Sequence, residues 1–395
     1  MRELSARATL IALVAFAAVS TDLYLSGIPG IVADLGVGHA EGQLTLSLFM
    51  VGFAAGQLLF GPLSDYHGRK PVVAAGLWLY ALATLLCALA PSITTLLGAR
   101  LLQGLAAASG PVIARAIVRD RYRAEDAARM MALLAAAMAV VPLFAPVLGS
   151  WLLYCFDWRA QFAGMLLFGL ATLAGLRALV ESCPSIGIGP LDLWRVFGQF
   201  GTCLRSRAFV GYQLCGGAAF ASSFAYISSA SFIMIEMLGV APQHFGYTFM
   251  LCVAGYMGGA LLSSVLVTRI GIRRTLGRGV AVNLAGIGLL CALAFGPAQP
   301  LLAVILAIFL CFLGSGLCLS NSQMGAISQF PMAAGGASAV FGFVQTAMAA
   351  TSGYVVGQSY DGTLVPTALA MTCAVLLSAL GYLVLRPVRG EAARA

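Results

Sequence analysis

Twelve apolar stretches of bilayer-crossing length follow one another along this chain, at roughly 8–31, 43–62, 71–91, 93–117, 130–152, 160–180, 208–235, 246–268, 276–296, 300–321, 335–357 and 365–385. A spanning helix needs about 20 apolar residues, so a chain of this length has room for about a dozen with short loops between them. Charged residues make up only 9% of the sequence and apolar ones 61%, against roughly 25% charged in an ordinary soluble domain. So few charges cannot clothe a water-facing surface, and most of the exterior must face lipid. In lipid every backbone polar group has to be satisfied internally. The fold class expected is therefore an all-α integral membrane protein with 12 transmembrane helices.

The same composition excludes several functions. The net charge of +8 lies in short loops between apolar runs, with no basic face interleaved with aromatics, so no nucleic-acid partner is expected. The ten cysteines are scattered through apolar segments without a Cys-x-x-Cys pair or a Cys/His cluster, so neither a metal site nor a disulfide framework is indicated. No phosphate-cradling G-x-x-x-x-G-K-[ST] loop occurs, and no cofactor is expected. A membrane enzyme would need a second buried catalytic group beside the single deep acid, Asp22, so the chain is not expected to be an enzyme. Arg2 and Arg7 before an apolar run resemble a secretory leader. The run continues through Asp22 to Pro29, however, long enough for a retained first span.

Lys and Arg set the orientation. The 1–2, 3–4, 7–8, 9–10 and 11–12 connections carry none, and the 5–6 connection has only Arg159. The other side collects Arg2 and Arg7, Arg69 and Lys70, Arg119 to Arg129, Arg195 to Arg207, Arg269 to Arg278 and Arg386 to Arg394. With an even number of spans, both termini are expected in the cytoplasm. The longest connection contains Pro184, a Gly-Ile-Gly-Pro turn at 187–190 and an amphipathic stretch from Leu191 to Phe200. It divides the chain into an expected six-helix bundle at 1–181, a cytoplasmic linker at 182–207 and a second bundle at 208–395. Leu63 with Gly68-Arg69-Lys70 has a weaker echo at Leu266 with Gly271-Ile272-Arg273-Arg274. Such internal duplication is typical of secondary transporters.

Small residues mark close helix approaches: Gly52 and Gly56 in span 2, Gly255 and Gly259 in span 8, Gly353 and Gly357 in span 11, and Pro142, Pro146 and Gly149 in span 5. Ordinary packing explains them; the sharper expectation is that these four spans form the interface between two halves that rock.

Asp22 is the residue that most needs a function. It lies about two thirds of the way along span 1, where an ionisable group costs roughly 2.5–3.5 kcal/mol on insertion scales. Ala15, Ala18, Asp22, Ser26 and Pro29 share a narrow small-and-polar helix face, suited to a cavity. Pro29 leaves the carbonyl of Leu25 without its helical donor and softens the helix beyond the acid. Arg100 in span 4 lies at the same depth, both roughly 10–14 Å below the outer surface, and a pair between the two is the expectation. Tyr24, Phe49, Tyr212, Gln213, Phe220, Tyr226, Tyr247, Asn321 and Gln345 are aromatic and amide residues that could wall an apolar pocket, with Tyr24, two residues from Asp22, and Asn321 foremost, and Gln103 beside Arg100 could couple to the occupant.

The 2–3 loop reads Gly61-Pro62-Leu63-Ser64-Asp65-Tyr66-His67-Gly68-Arg69-Lys70. It matches G-x-L-x-D-x-x-G-R-K and resembles the signature loop of the major facilitator superfamily. Arg100-xx-Gln103-Gly104 is similar to the family's second motif, and Pro142-xxx-Pro146-xx-Gly149 to its antiporter motif, except that Ala145 stands where glycine usually precedes the proline. Thr21-Asp22-Leu23-Tyr24-Leu25, Arg119-Asp120 with Tyr122, His244-Phe245-Gly246-Tyr247, Asn321, and Phe330-Pro331 before Ala334-Gly335 make the chain similar to the drug/proton antiporters of the bicyclomycin and chloramphenicol resistance branch.

That resemblance implies two pseudo-symmetric six-helix bundles and, by alternating access, proton-coupled efflux of drug-like small molecules across a bacterial inner membrane by a monomer. Proton-coupled uptake, or export of an endogenous metabolite, is the alternative on the same fold. With the reading of spans 1 and 4, proton coupling is expected through Asp22 and Arg100, and drug contacts at Asp22, Tyr24, Gln103, Tyr226 and Asn321. Gating would fall to Gly61, Asp65, Gly68, Arg69, Arg119, Asp120, Pro142, Pro146 and Gly149. The charged members would form a cytoplasmic latch with Asp65 near the start of span 11.

Overall fold

The computed structural model describes residues 2–183 and 193–385. Pro184, the turn at 187–190 and the basic tail from Arg386 to Arg394 lie outside the described residues. Among those residues the chain is helical throughout, with no strand. Eleven helical runs are long and apolar enough to cross a membrane. One of them, Pro242–Ala294, is 53 residues long, about 80 Å at 1.5 Å per residue. That is far more than a hydrocarbon layer of about 30 Å accepts. The run is broken at Gly271, whose φ of +80° is open to glycine and closed to most other residues. It therefore supplies two spans, and the total becomes twelve.

The spans are α1 (Glu3–Leu35), α2 (His39–His67), α3 (Arg69–Ala88), α4 (Ile93–Arg121), α5 (Glu125–Cys155), α6 (Trp158–Ala178), α7 (Arg207–Met237), α8 (242–270), α9 (272–294), α10 (Leu301–Ser328), α11 (Ala334–Ser359) and α12 (Val365–Val384). A linker helix, Leu193–Arg205, precedes α7. Its Phe200 and Cys203 pack against Phe209, Ala326 and Phe341. Arg159, the one basic residue in the 5–6 connection, donates to Asp34 at 2.8 Å, so its charge is balanced locally.

The chain forms two compact units. One comprises Met1–Leu193 with Ile227–Val253 and Gly353–Thr363; the other comprises Trp194–Tyr226, Ala254–Ser352 and Leu364–Ala395. The first thus holds α1 to α6 together with one end of α7, α8 and α11. Within each unit the same contact recurs. Gly52 and Gly56 of α2 lie so close to the carbonyls of Leu101 and Leu105 in α4 that a β-carbon would overlap them. Gly255 and Gly259 of α8 meet the carbonyls of Phe309 and Leu313 in α10 in the same way. Gly68 between α2 and α3 (φ 96°, ψ 153°) and Gly271 between α8 and α9 (φ 80°, ψ 163°) share one backbone conformation. These matched details are the structural counterpart of the sequence echo.

The glycine pairs of α2 and α8 each pack on the neighbour two spans along. Gly149 of α5 likewise faces Leu23 of α1. A backbone-to-backbone approach needs small residues wherever it occurs, and ordinary packing accounts for these contacts. Gly357 of α11 faces Gln43 of α2, and Gly246 of α8 meets Pro146 and Val147 of α5.

Candidate functional site

The regular α-helix of α1 ends at Asp22. A 3-10 turn follows at Leu25–Gly27 and the α-helix resumes at Ile28, with Pro29 in its first turn. Pro29 cannot donate to Leu25, and the Leu25 carbonyl instead accepts from the Ile28 N–H. Softening beyond the acid thus takes the form of a local change of helix type. Gly149 of α5 fits into this turn, since any β-carbon there would fall on the Leu23 carbonyl oxygen. From α6, Gln161 Nε2 donates to Ser26 Oγ at 2.9 Å and to the Gly149 carbonyl at 2.9 Å. The break in α1 is therefore held by α5 and α6 together.

Asp22 is 6% exposed, and its Oδ1 lies 2.8 Å from the Thr21 hydroxyl. Among the described residues it has no cationic partner within salt-bridge distance. The expected pair with Arg100 is not formed. Ser20 and Tyr24, four residues apart, both face Arg100. Asp22 sits midway between them and so about 200° round the helix, on the far side.

Arg100 is fully buried and takes aromatic and carbonyl partners in place of a carboxylate. Its guanidinium carbon lies 4.1 Å from the Tyr24 ring centroid, 4.5 Å from Phe49 and 5.8 Å from Phe162. Nη1 donates to Gln103 Oε1 at 2.6 Å and to the Ser20 carbonyl at 3.1 Å, and Nε reaches the Thr45 carbonyl at 3.4 Å. Gln103 Nε2 donates in turn to Thr84 at 2.8 Å. Tyr24 and Thr45 share a hydroxyl contact of 3.1 Å, and Ser20 and Tyr80 one of 2.7 Å. A guanidinium is weakly hydrated and stacks on rings, with each such contact worth about 0.5–2 kcal/mol, so this is an environment arginine tolerates. Nη2 alone has no partner. Phe49, considered for a pocket wall, belongs to this cage.

The remaining candidates divide between the units. Tyr226, in the second, is fully buried and meets Phe312 edge to face at 5.9 Å. Asn321, also in the second, donates to Ser263 at 2.6 Å and to the Leu317 carbonyl at 2.7 Å. Tyr247, in the first, accepts from Trp151 Nε1 at 3.0 Å.

The loop end of the first unit gathers the gating candidates. Arg69, only 4% exposed, pairs with Asp65 and with Asp120. Its Nε reaches Asp120 Oδ2 at 2.9 Å and its Nη1 the Ser64 hydroxyl at 2.7 Å. Arg119 Nε lies 3.6 Å from Asp120 Oδ1, and Ser64 donates to the Gly61 carbonyl at 2.9 Å. Pro142 and Pro146 lie inside α5 without ending it.

Glu181, which no motif marks, completes the cluster. Its carboxylate accepts from the backbone N–H groups of Arg69 and Lys70, each at 2.9 Å, and from those of Ser182 and Cys183. Lys70 Nζ donates to the Leu179 carbonyl at 2.8 Å. Burial would raise this carboxyl's pKa, but the four N–H donors outweigh it and hold the group below the usual carboxylate range. An anion here also meets the favourable end of the α3 dipole. Gln161, Thr84, Tyr80 and Phe162 were equally invisible in sequence, since a lone amide, hydroxyl or ring in an apolar helix carries no spacing signal.

The chain matches the Major Facilitator Superfamily profile over residues 10–354. It belongs to the major facilitator superfamily. It is similar, at 32% identity over 92% of its length and 91% of the relative's, to an uncharacterized MFS-type transporter, YdgK, of Bacillus subtilis. A bicyclomycin resistance protein homolog of Haemophilus influenzae is 29% identical, with 91% of each chain covered. The multidrug resistance protein MdtL of Escherichia coli is 29% identical over 85% of this chain and 83% of that one. Among solved structures, a bacterial homolog of the human lysosomal transporter Spinster, inward-facing and occupied, superposes with a TM-score of 0.70 at 17% identity, covering 97% of this chain and 95% of that one. Its inward-facing, unoccupied form gives 0.69 at 15% identity, covering 97% and 96%. The chain is thus a multi-pass membrane transporter of this superfamily and not an enzyme, and the resemblance read from its motifs holds at that level.

Proposed function

We propose that this transporter exports drug-like small molecules in exchange for protons across a bacterial inner membrane, with both termini in the cytoplasm. The observation that carries the reading is Asp22: a buried carboxylate without a cationic partner among the described residues, at a break in α1 held by two neighbouring helices. Such a group is costly to keep charged in a membrane interior, so a proton or a cationic group of the cargo is its natural counterpart. Relatives named for bicyclomycin and multidrug resistance support a drug-like cargo. A proton motive force near ~200 mV supplies about 4.6 kcal/mol per proton, on the order of a thousandfold gradient.

In this reading Asp22 carries the proton, and Arg100 holds the helix face opposite it through Ser20 and Tyr24. Tyr24, Gln103, Tyr226 and Asn321 are candidate cargo contacts. The bundles at 1–181 and 208–395 move about the linker 182–207, and the Asp65–Arg69–Asp120 cluster distinguishes the two access states on the cytoplasmic side. Ala145, where the antiporter motif has glycine, favours a second reading in which the same machinery takes up a substrate with protons.

The test is substrate-induced proton release from purified protein in weakly buffered detergent, wild type beside Asp22→Asn, with a panel of inhibitory concentrations in an efflux-deficient host supplying the substrate. Release by wild type and none by the variant is expected. If Asp22→Asn releases protons and exports as wild type does, Asp22 is a structural acid. Cellular accumulation of the substrate, raised or lowered, separates uptake from export.

A further inference from the structure

One face of α2 is not used by this mechanism. His39, Gln43 and Ser47 are spaced by four and lie in a row down the helix, and the first two face the ends of α7 and α11 that belong to the same unit. His39 Nε2 is 2.8 Å from Glu236 Oε2, and the two side chains remain 42% and 39% exposed. The imidazole also meets Phe232 edge to face at 4.6 Å and Tyr360 at 5.3 Å. Phe232 and Glu236 both sit in a π-helical turn, Phe232–Met237, that ends α7. π turns within α-helices are frequent at functional sites.

One turn deeper, Gln43 lies against Gly357 of α11. It is fully buried, and neither its Nε2 nor its Oε1 has a partner. A further turn in, Ser47 Oγ is likewise buried and unpartnered, as is Ser231 Oγ on α7. Buried amides and hydroxyls are nearly always hydrogen-bonded. An unpaired amide against α11, with unpaired hydroxyls one turn on along α2 and on α7, is out of place in a permanent seal and suits a surface that water or cargo wets in another state.

We infer that the His39–Gln43–Ser47 face of α2 lines the exit route to the outside, closed in this structure and held shut at its rim by the His39–Glu236 pair, so that external pH sets how readily it opens. Which side is outside rests on the orientation proposed above. Among the described residues, the titratable groups that meet the imidazole are Glu236 from α7 and Tyr360 after α11, with Asp361 next to Tyr360 and Glu41 two residues along α2. Burial first, and then the negative charges of Glu236 and Asp361, push the Tyr360 phenol up to about 12, so it stays neutral near neutrality. Histidine is the residue type that changes charge between pH 5 and 8.

The experiment labels Ser47→Cys with a membrane-impermeant maleimide in intact cells, in a background without the native cysteines. Thr363→Cys, on the loop after α11, serves as the control for side and for the pH dependence of the reagent. With Thr363→Cys labelled from outside, Ser47→Cys should react slowly at pH 6. Relative to the control, its rate should rise about two- to fivefold by pH 8, the range of an exposed ion pair. His39→Gln and Glu236→Gln should each raise the pH 6 rate to the pH 8 level and flatten the profile. The exchanged pair His39→Glu with Glu236→His should restore slow labelling. A rate of Ser47→Cys that ignores pH and both substitutions overturns the gate. Failure of Thr363→Cys to label from outside, with labelling in inverted vesicles, overturns the orientation instead.

Discussion

Replacing Arg100 by lysine keeps the charge and removes the shape, and the structure sets the size of the loss. An ammonium has one nitrogen where the guanidinium uses Nη1 for Gln103 and Ser20 and Nε for Thr45, so one or two charge-assisted hydrogen bonds disappear. Each is worth about 1.5–3 kcal/mol. A compact, strongly hydrated ammonium also gains less from stacking among Tyr24, Phe49 and Phe162, a further loss of about 0.5–2 kcal/mol. Arg100→Lys is therefore expected to destabilise the first unit by roughly 2–8 kcal/mol, read as a fall of several degrees in the apparent Tm of the detergent-solubilised protein. The decisive arm is the double variant with Asp22→Asn. Residues without a shared contact have effects that add within about 0.3–0.5 kcal/mol, so the two shifts should sum. An Arg100→Lys protein that melts like wild type would refute the cage. A double variant far from additivity would restore the direct Asp22–Arg100 pair that this conformation lacks.

Three further outcomes follow from the same geometry. Gly149→Ala places a methyl on the Leu23 carbonyl and should destabilise the α1–α5 contact by about 1–3 kcal/mol, with transport lost at normal membrane levels by immunoblot. In the loop cluster, Arg69→Ala strands the nearly buried Asp120 and should lower the Tm as the loss of a buried pair does, by about 3–5 kcal/mol; Asp65, 63% exposed, should cost little stability as Asp65→Asn yet still slow transport. Glu181→Gln should weaken the start of α3 by about 0.5–2 kcal/mol. Because the folded carboxyl is held below its usual range, its contribution is present above the unfolded pKa and lost as pH falls through the folded one, so the Tm gap between wild type and Glu181→Gln should close in acid.

Lipid makes the fold legible and the site much less so. A helix in a bilayer must be apolar for its whole length, so twelve spans can be found by length and hydropathy alone, and even the break at Gly271 lies where the loop echo falls. The loop motif is legible for a related reason: Arg69 must satisfy Asp65 and Asp120 together, which fixes the spacing of charges that can be read directly. Inside the spans that logic fails. Asp22 and Arg100 stand out because charge is rare there, and equal depth made them look like partners. Depth is one coordinate, however, and the azimuth decides. Ser20 and Tyr24 lie on the side of α1 that faces Arg100, and Asp22 does not. The partners Arg100 does have are carbonyls, rings and an amide, groups every apolar helix contains, so no pattern announces them. The glycines are half legible in the same way. Gly52, Gly56, Gly255 and Gly259 report that two backbones touch without saying which two, and the choice between a packing seam and a moving interface waits for the neighbour's identity. In this superfamily fold, then, charge content and spacing carry the architecture, while the direction a residue faces, set by which helices pack together, carries the mechanism.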